Sequence, residues 1–220
     1  TIKGRLMKIF VGYESEYPEM FEVCKASILR FNPTHEVIPL ITSELEEQGI
    51  YTREEKGNTE FAFTRFLVPL LSNYMGYSLF CDGDFLWRCD PQEITHFKKN
   101  NDSVMCVQHA DLMFDQYTKM HNKLNKPYDK KYWSSLMYFN NAECTMLNKW
   151  YVNNAAARHL HGFTWADGIG SLPASYNALV NYYDFGERAK GVHFTDGGPW
   201  MGINDHEQYC KEWTDIYNSL

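Results

Sequence analysis

Two carboxylates stand at the end of an apolar segment in the first half of the chain. Asp82 and Asp84 follow Leu79-Phe80-Cys81, and Gly83 lies between them. In an extended strand, residues two apart point to the same face, so both carboxylates project together from the strand's end. We expect Gly83 to let a ligand approach closely. Two hard oxygen donors on one face suit a divalent cation that keeps positions open for phosphate oxygens. On its own, the tripeptide is more typical of a solvated turn.

A histidine and two glycines form a second candidate group near the C-terminus. His193 is followed by Gly197 and Gly198 and then by Pro199-Trp200. Glycine backbones can expose N–H groups that cradle an oxyanion, and the Pro-Trp pair stiffens the turn. A single histidine is usually structural, so the glycines are what make this segment a candidate for ligand binding.

The start of the chain predicts how these groups are positioned. Residues 7–12 read as a buried strand, residues 18–31 as a helix with apolar residues at helical spacing, and residues 37–41 as a second strand. This βαβ order predicts an α/β fold with a mainly parallel sheet and a right-handed crossover. Ligands bind such sheets beyond the carboxyl ends of the strands, which makes Gly12 and Tyr13 candidates for a base-binding shelf.

Arg65 is a candidate contact for phosphate. It lies in a predicted helical stretch over residues 59–71, which leads directly into the Asp82–Asp84 strand. An arginine beside a metal can clamp a diphosphate. The alternative is a surface arginine whose stem packs over the neighbouring aromatic rings.

Two further polar residues follow later elements. Asn140 ends a predicted strand over residues 133–141, where amides could hydrogen-bond sugar hydroxyls, although asparagines after strands are more often turn formers. Asp167 lies in an irregular, glycine-rich segment, residues 163–176, of a kind that often carries function. Between and around them we expect a short strand at 104–107, a polar loop or helix at 116–131 and a helix at 144–160.

Bulk properties narrow the class of protein. A chain of 220 residues and 25.8 kDa favours one large α/β domain over two small ones. The net charge of −7 argues against a nucleic-acid or anionic-membrane partner. Six cysteines without paired spacing predict reduced thiols. Without a signal-peptide pattern or a membrane-length apolar segment, the expected location is cytoplasmic. Residues 1–6 precede a natural-looking start at Met7, so we interpret them as added sequence.

Taken together, these segments resemble the retaining GT-A glycosyltransferases of the glycogenin and lipooligosaccharide galactosyltransferase type (GT8-like), in a small bacterial or phage form. The opening Phe10-Val11-Gly12-Tyr13 is similar to that family's uridine-binding first strand. Arg65 is similar to its basic residue near the diphosphate, and Asp82-Gly83-Asp84 matches its D-x-D metal motif.

The second half of the chain continues the resemblance. Tyr138-Phe139-Asn140 is similar to the family's sugar-binding Y-F-N strand. His193-Phe194, with the following Gly-Gly-Pro-Trp, resembles its C-terminal segment, whose histidine completes the metal site. Two positions depart from the family pattern. Gly198 replaces a lysine before Pro-Trp, and the expected D-Q pair appears only as Asp167-Gly168.

The resemblance implies a GT-A (Rossmann-like) domain over residues 7–220. It implies a metal-dependent enzyme that moves a hexose from a nucleotide sugar, most simply UDP-glucose or another UDP-hexose, to a hydroxyl acceptor with retention of configuration. Asp82, Asp84 and His193 would hold Mn²⁺, or Mg²⁺ less well because of the nitrogen ligand. The residues expected to contact substrate are Gly12, Tyr13, Arg65, Asp82, Asn140, Asp167, Gly197 and Gly198, with Asn140 and Asp167 as the catalytic residues.

Two alternatives remain open at this point. In one, Asp82 is the covalent nucleophile of a HAD-type phosphatase, although this leaves His193 and the glycine turn without a role. In the other, the chain is a non-catalytic module that binds a sugar nucleotide or a glycan.

Overall fold

The fold is built on eleven strands in the computed structural model, which describes residues 7–98, 101–109, 118–119, 123–124 and 130–220. In chain order the strands are β1 (Lys8–Gly12), β2 (Glu36–Leu40), β3 (Tyr77–Cys81), β4 (Phe85–Trp87), β5 (Val104–Cys106), β6 (Thr118–Lys119), β7 (Lys123–Leu124), β8 (Leu136–Asn140), β9 (Ile169–Ser171), β10 (Ala178–Leu179) and β11 (Gly191–His193).

The main sheet has six strands in the order β2-β1-β3-β8-β5-β9. Of these six, β8 alone runs against the others, because it pairs antiparallel with both β3 and β5, whereas β1 is parallel to β2 and β3 and β9 is parallel to β5. The predicted mainly parallel sheet is therefore confirmed. We call the edge where β1 ends at Gly12 and β3 ends at Cys81 the carboxyl edge, and the opposite one, where β3 begins at Tyr77, the amino edge.

A smaller sheet brings the C-terminal segment to the carboxyl edge. Its order is β10-β11-β4, and the antiparallel β11–β4 pairing places His193 opposite Phe85. Because Phe85 directly follows Asp84, this pairing carries the histidine to the end of β3. The short strands β6 and β7 form a separate antiparallel pair.

Within the described residues, six helices accompany the sheets: α1 (Pro18–Leu29), α2 (Thr42–Glu47), α3 (Val68–Leu71), α4 (Lys149–Asn154), α5 (Ala157–His161) and α6 (Glu207–Tyr217). The α1 helix begins with Pro18, whose fixed φ suits a first helical position. It buries Met20, Val23, Cys24 and Ile28 at helical spacing, which confirms the predicted βαβ opening.

Two predicted helices are shorter than expected. In residues 59–71, a turn is followed by a 3₁₀ segment, Thr64–Leu67, and then by α3. The predicted helix over residues 144–160 is divided, because Ala155 and Ala156 are extended, with ψ of 144° and 142°. Arg53 donates to the carbonyl of Ala155, at 2.7 Å, and so satisfies backbone left open by this break. The predicted loop at 116–131 lies largely outside the described residues.

Apolar side chains cover both faces of the main sheet. Phe10 and Phe80 point to one face, where Phe66 and Phe139 also pack. Their strand neighbours point to the other face, where they pack against α1. All six cysteines are free and buried. Among the described residues, no helix combines the length and apolar character needed to cross a membrane.

Candidate active site

Asp82, Asp84 and His193 form a buried cluster at the carboxyl edge. Each offers one ligand atom, and these atoms all lie within 4.8 Å of one another. The three residues are only 9%, 6% and 2% exposed. Backbone bonds fix the frame: the Asp82 N–H donates to the carbonyl of Ser135 at 2.9 Å, and the Phe194 N–H donates to the carbonyl of Asp84 at 3.1 Å. The structure therefore brings together the three residues that the sequence grouped as metal ligands.

Arg65 forms an ion pair with this cluster. Its Nη1 lies 2.8 Å from Oδ1 of Asp82 and donates to the carbonyl of Ser134 at 3.0 Å, while its Nε donates to the carbonyl of Phe61 at 3.2 Å. The guanidinium also lies 5.1 Å from the ring centres of Phe61 and Phe80. The position of Arg65 agrees with parts of both interpretations from the sequence. It packs over aromatic rings, and it also lies beside the aspartates. Its contact with a diphosphate stays a prediction.

The charges and donor atoms of the cluster fit a divalent cation. Asp82 and Asp84 bring two carboxylates into a place with little access to water, where Arg65 lies 2.8 Å from Asp82. Two carboxylate oxygens and an imidazole nitrogen are donors that suit Mn²⁺, whereas Mg²⁺ prefers oxygen alone.

The His193 ring is held from several sides. Its Nε2 lies 3.3 Å from Oδ1 of Asp84, and its Nδ1 lies 2.9 Å from Oδ1 of Asn177. One face stacks on Phe85 with ring centres 4.7 Å apart, and the Tyr132 ring lies nearly perpendicular to the imidazole with ring centres 6.3 Å apart. The imidazole is therefore oriented before any ligand arrives.

Gly12 and Gly83 serve the packing of the chain itself. A Cβ on Gly12 would lie 2.5 Å from the ring of Phe61, and a Cβ on Gly83 would lie 2.4 Å from the carbonyl oxygen of Gly12. The close approach expected at Gly83 is thus made by backbone of β1 and not by a ligand, which corrects that prediction. Tyr13 stands at the carboxyl edge with its ring edge-on to Phe21, centres 5.9 Å apart, and its contact with a base stays a prediction.

A small pocket opens beside Asp84, between the end of β1 and the segment that precedes Arg65. It is lined by Glu14, Tyr17, Met20, Asn58, Thr59, Phe61 and Asp84. The two walls are joined where the N–H of Glu60 donates to Oε1 of Glu14 at 2.6 Å. Through Asp84, this pocket adjoins the metal cluster.

The glycine turn after His193 differs from the predicted oxyanion cradle. The Gly197 N–H donates to the carbonyl of Phe194 at 2.9 Å, so this turn already uses it. Gly197 has a φ of +109°, which favours glycine, and a Cβ on Gly198 would lie 2.5 Å from the Trp200 ring. Local geometry thus explains both glycines. Because the Gly197 N–H bonds within the turn, the prediction that it cradles an oxyanion is corrected.

Asn140 and Asp167 lie at the amino edge, away from the cluster. Asn140 pairs with Tyr77 at the start of β3, about 16 Å along the strand from Asp82. Asp167 precedes β9 and donates its N–H to Oγ of Ser103, whose carbonyl accepts from the Asn140 N–H. Their assignment to the sugar site at the cluster is therefore corrected. The physical reason is that β8 runs antiparallel, so its last residue points away from the site.

The beginning of β8 reaches the carboxyl edge instead, with residues that the sequence reasoning missed. Ser134 and Ser135 precede β8 and bond to Arg65 and Asp82 through their carbonyls. His109, after β5, lies near His193 and stacks on Tyr183 with ring centres 5.6 Å apart. Burial, with a smaller contribution from His193, lowers the pKa of His109 to about 3, so it is a neutral donor or acceptor. Only the direction of β8 could have revealed Ser134 and Ser135.

Comparison with known proteins places this site in context. Protein CDI of Arabidopsis thaliana is 36% identical over 228 residues, covering 93% of this chain and 88% of the Arabidopsis protein. The chain belongs to the Protein CDI family. No family model matches this Protein CDI relative.

Solved glycosyltransferase structures share the fold of this Protein CDI family member. GlyE of Streptococcus pneumoniae TIGR4 superposes with a TM-score of 0.62 at 12% identity, over 98% of this chain and 63% of GlyE. The chain therefore spans less than two thirds of the length of GlyE. The galactosyltransferase LgtC, solved with donor and acceptor sugar analogs, gives a TM-score of 0.58 at 11% identity, over 97% of this chain and 96% of LgtC. The predicted GT-A fold is confirmed.

Proposed function

We propose that this protein is a metal-dependent glycosyltransferase that transfers a hexose from a nucleotide sugar, a UDP-hexose, to a hydroxyl acceptor. The observation that carries the proposal is the buried Asp82–Asp84–His193 cluster at the carboxyl edge of a GT-A fold. Ligands of parallel α/β sheets bind beyond this edge. LgtC, which shares the fold, is a galactosyltransferase that was solved with donor and acceptor sugar analogs, and this supports a hexose donor here.

The proposed mechanism assigns each residue of the cluster a distinct task. Asp82, Asp84 and His193 would hold Mn²⁺ or Mg²⁺, which neutralises charge on a departing diphosphate when it is bound. Arg65 orients Asp82 through the 2.8 Å ion pair. The buried position of these groups strengthens every electrostatic contact that they make, because little water screens them.

The donor would lie across the cluster and the pocket beside Asp84. The pocket walls contain Tyr17 and Phe61, and Tyr13 stands nearby at the end of β1. Aromatic rings in such a position can stack on or border a base. Retention of configuration rests on the resemblance to GT8-like enzymes, and the residue that contacts the anomeric carbon would come from the start of β8 or the end of β5, since Asn140 and Asp167 are at the other edge.

The phosphatase alternative is not favoured. A nucleophilic aspartate must be free to attack phosphorus, whereas Asp82 is ion-paired with Arg65 and grouped with His193, for which the phosphatase has no role. The non-catalytic binding module uses the same fold, and an activity assay distinguishes it from a transferase.

Donor hydrolysis tests the proposal directly. UDP-glucose, UDP-galactose, UDP-GlcNAc and GDP-mannose are supplied in turn with Mn²⁺, with Mg²⁺ or with EDTA, and free nucleoside diphosphate is measured. We expect release from one UDP-hexose with Mn²⁺ and loss of release with EDTA. Asp84→Asn should lower this rate by roughly 100-fold or more, because it removes a metal ligand.

Asp215→Asn is the matched control, because Asp215 is an exposed aspartate on α6. It should keep the wild-type rate. Wild-type turnover by Asp84→Asn would contradict the metal site. No release from any donor, together with donor binding in a calorimeter, would favour the binding module.

A further inference from the structure

A chain of three buried hydrogen bonds runs from a backbone carbonyl to the imidazole of His193. Ser135 Oγ donates to the carbonyl of Tyr132 at 2.6 Å, Asn177 Nδ2 donates to Ser135 Oγ at 2.9 Å, and His193 Nδ1 lies 2.9 Å from Asn177 Oδ1. Ser135, Asn177 and His193 are at most 2% exposed. Because these groups are shielded from solvent, each proton among them has a defined place.

The order of donors follows from the carbonyl at the far end. A carbonyl oxygen can only accept, so Ser135 uses its single hydroxyl hydrogen on Tyr132. Ser135 Oγ must then accept from the amide of Asn177, which fixes Nδ2 at the serine and Oδ1 at the histidine. An amide oxygen also only accepts, and therefore Nδ1 of His193 carries the proton.

The opposite arrangement would prevent metal binding by the ring. If the Asn177 amide were reversed, Nδ1 of His193 would have to accept, and the proton would move to Nε2. Nε2 lies 3.3 Å from Oδ1 of Asp84, so that proton would form a hydrogen bond across the space that a cation needs. The reversal would also leave the buried carbonyl of Tyr132 without the Ser135 hydroxyl, which is unfavourable.

The backbone holds Asn177 in this place. The 3₁₀ segment Ala174–Asn177 leads into β10, which pairs Leu179 with His193. The segment passes so close to β11 that a Cβ on Gly191 would lie 2.3 Å from the carbonyl of Tyr176. The position of Asn177 relative to the ring is thus set by strand pairing and by a required glycine.

We infer that Asn177 and Ser135 are positioning residues that hold His193 in the Nδ1-protonated tautomer, so that Nε2 presents its lone pair to a divalent cation shared with Asp84. This inference rests on the proposed metal site. A hydrogen-bond acceptor on the second nitrogen of a ligating imidazole fixes its tautomer and raises its basicity.

Three variants test the inference. Asn177→Leu keeps the branched shape of the side chain but removes the acceptor, whereas Asn177→Asp keeps an acceptor for Nδ1. The third variant is Ser135→Ala, which frees the Asn177 amide to reverse. It keeps the inference testable if Asn177→Leu does not fold.

Asn141→Leu is the matched control for these variants. Asn141 is as buried as Asn177 but lies at the amino edge, where its Nδ2 bonds to Ser78 Oγ and the Met75 carbonyl, each at 2.9 Å. Its replacement therefore removes a buried amide of the same size without touching the cluster.

Two measurements are made on the full chain. Two-bond ¹H–¹⁵N NMR correlations of the metal-free protein show which nitrogen of each imidazole is protonated, and His193→Gln identifies the signal of His193. Mn²⁺ titration followed by electron paramagnetic resonance of the free ion gives the dissociation constant. Neither readout depends on catalysis.

We expect the Nδ1–H pattern for His193 in the wild-type protein and in Asn177→Asp. In Asn177→Leu we expect an Nε2–H population and Mn²⁺ binding weaker by roughly 10- to 100-fold. Ser135→Ala should shift both readouts in the same direction by less, and Asn141→Leu should match the wild type in both. An Nε2–H ring in the wild-type protein, or wild-type Mn²⁺ affinity in Asn177→Leu, would overturn the inference.

The two proposals fail in different ways. If neither the wild-type protein nor Asp84→Asn binds Mn²⁺, the proposed metal function is wrong, and the inferred metal role of Asn177 falls with it. If the wild-type protein binds Mn²⁺ and Asp84→Asn does not, an unchanged Asn177→Leu removes only the inference.

Discussion

Arg65 shows how one side chain can connect several segments of a site. Its charge faces Asp82 at 2.8 Å, and its N–H groups also hold the carbonyls of Phe61 and Ser134. Arginine suits this place better than lysine because its planar group donates in several fixed directions at once. The ion pair therefore links the segment before α3, the end of β3 and the start of β8.

Removing Arg65 should destabilise the protein chiefly by removing the cation that faces the buried carboxylate of Asp82 at 2.8 Å. We expect Arg65→Met to lower the free energy of unfolding by roughly 3 kcal/mol, which is typical when one partner of a buried ion pair is removed. Urea unfolding of the metal-free protein, followed by tryptophan fluorescence, measures the change.

The double variant Arg65→Met/Asp82→Asn tests whether the loss of stability comes from the charge of Asp82. Because it also removes the buried charge of Asp82, it should recover at least 1 kcal/mol relative to Arg65→Met, as roughly expected for directly coupled sites. A double variant less stable than Arg65→Met would show that the two side chains do not form a stabilising pair.

At the scale of elements, the direction of one strand decides which residues reach the site. Apolar runs and turn residues in the sequence predicted β1, α1, β2, β3 and β8 within a few residues, since burial patterns are local. Strand direction within a sheet is set by non-local pairing, which no pattern in residues 133–141 encodes. Asn140 was therefore placed at the wrong end, and Ser134 and Ser135 were overlooked.

The antiparallel direction of β8 leads to a prediction about Asn140 and Asp167, the two residues at the amino edge. Asn140→Ala and Asp167→Asn should each keep Mn²⁺ affinity and donor hydrolysis within about twofold of the wild type, because distant surface substitutions rarely couple to a site. Paired assays beside Asp84→Asn measure this. A roughly 100-fold loss of turnover in either variant, the size expected for a lost metal ligand, would mean that the donor sugar reaches the amino edge.

At the scale of the whole molecule, burial makes two histidines sensitive to acid. Burial, followed by the charges of Arg65 and Arg53, lowers the pKa of His161 to about 3. His109 reaches a similar pKa through burial and His193. The two lowered pKa values could not be predicted from composition. The sequence contains eight histidines, and which of them are buried depends on the packing of elements that are distant in the chain.

The pH dependence of stability follows from these lowered values. An unfolded histidine has a pKa of about 6.5, so below that pH the unfolded chain binds a proton at this position. Folded His161 stays neutral until the pH falls to about 3. The unfolded state is therefore favoured increasingly as the pH falls from about 6.5, by about 2 kcal/mol at pH 5 for each such histidine. Above about pH 7 both states are neutral at this position and the effect vanishes.

His161→Gln should remove its share of this acid sensitivity. We expect the loss of unfolding free energy between pH 7.5 and pH 5 to be about 2 kcal/mol smaller in His161→Gln than in the wild type. The comparison of two pH values cancels the packing change at either one. His96→Gln, which replaces an exposed histidine, is the control and should keep the wild-type difference. Since Ser134 Oγ lies 3.0 Å from Nδ1 of His161, an unchanged pH dependence would mean that His161 is protonated in the folded protein, and the serine would then have to act as its acceptor.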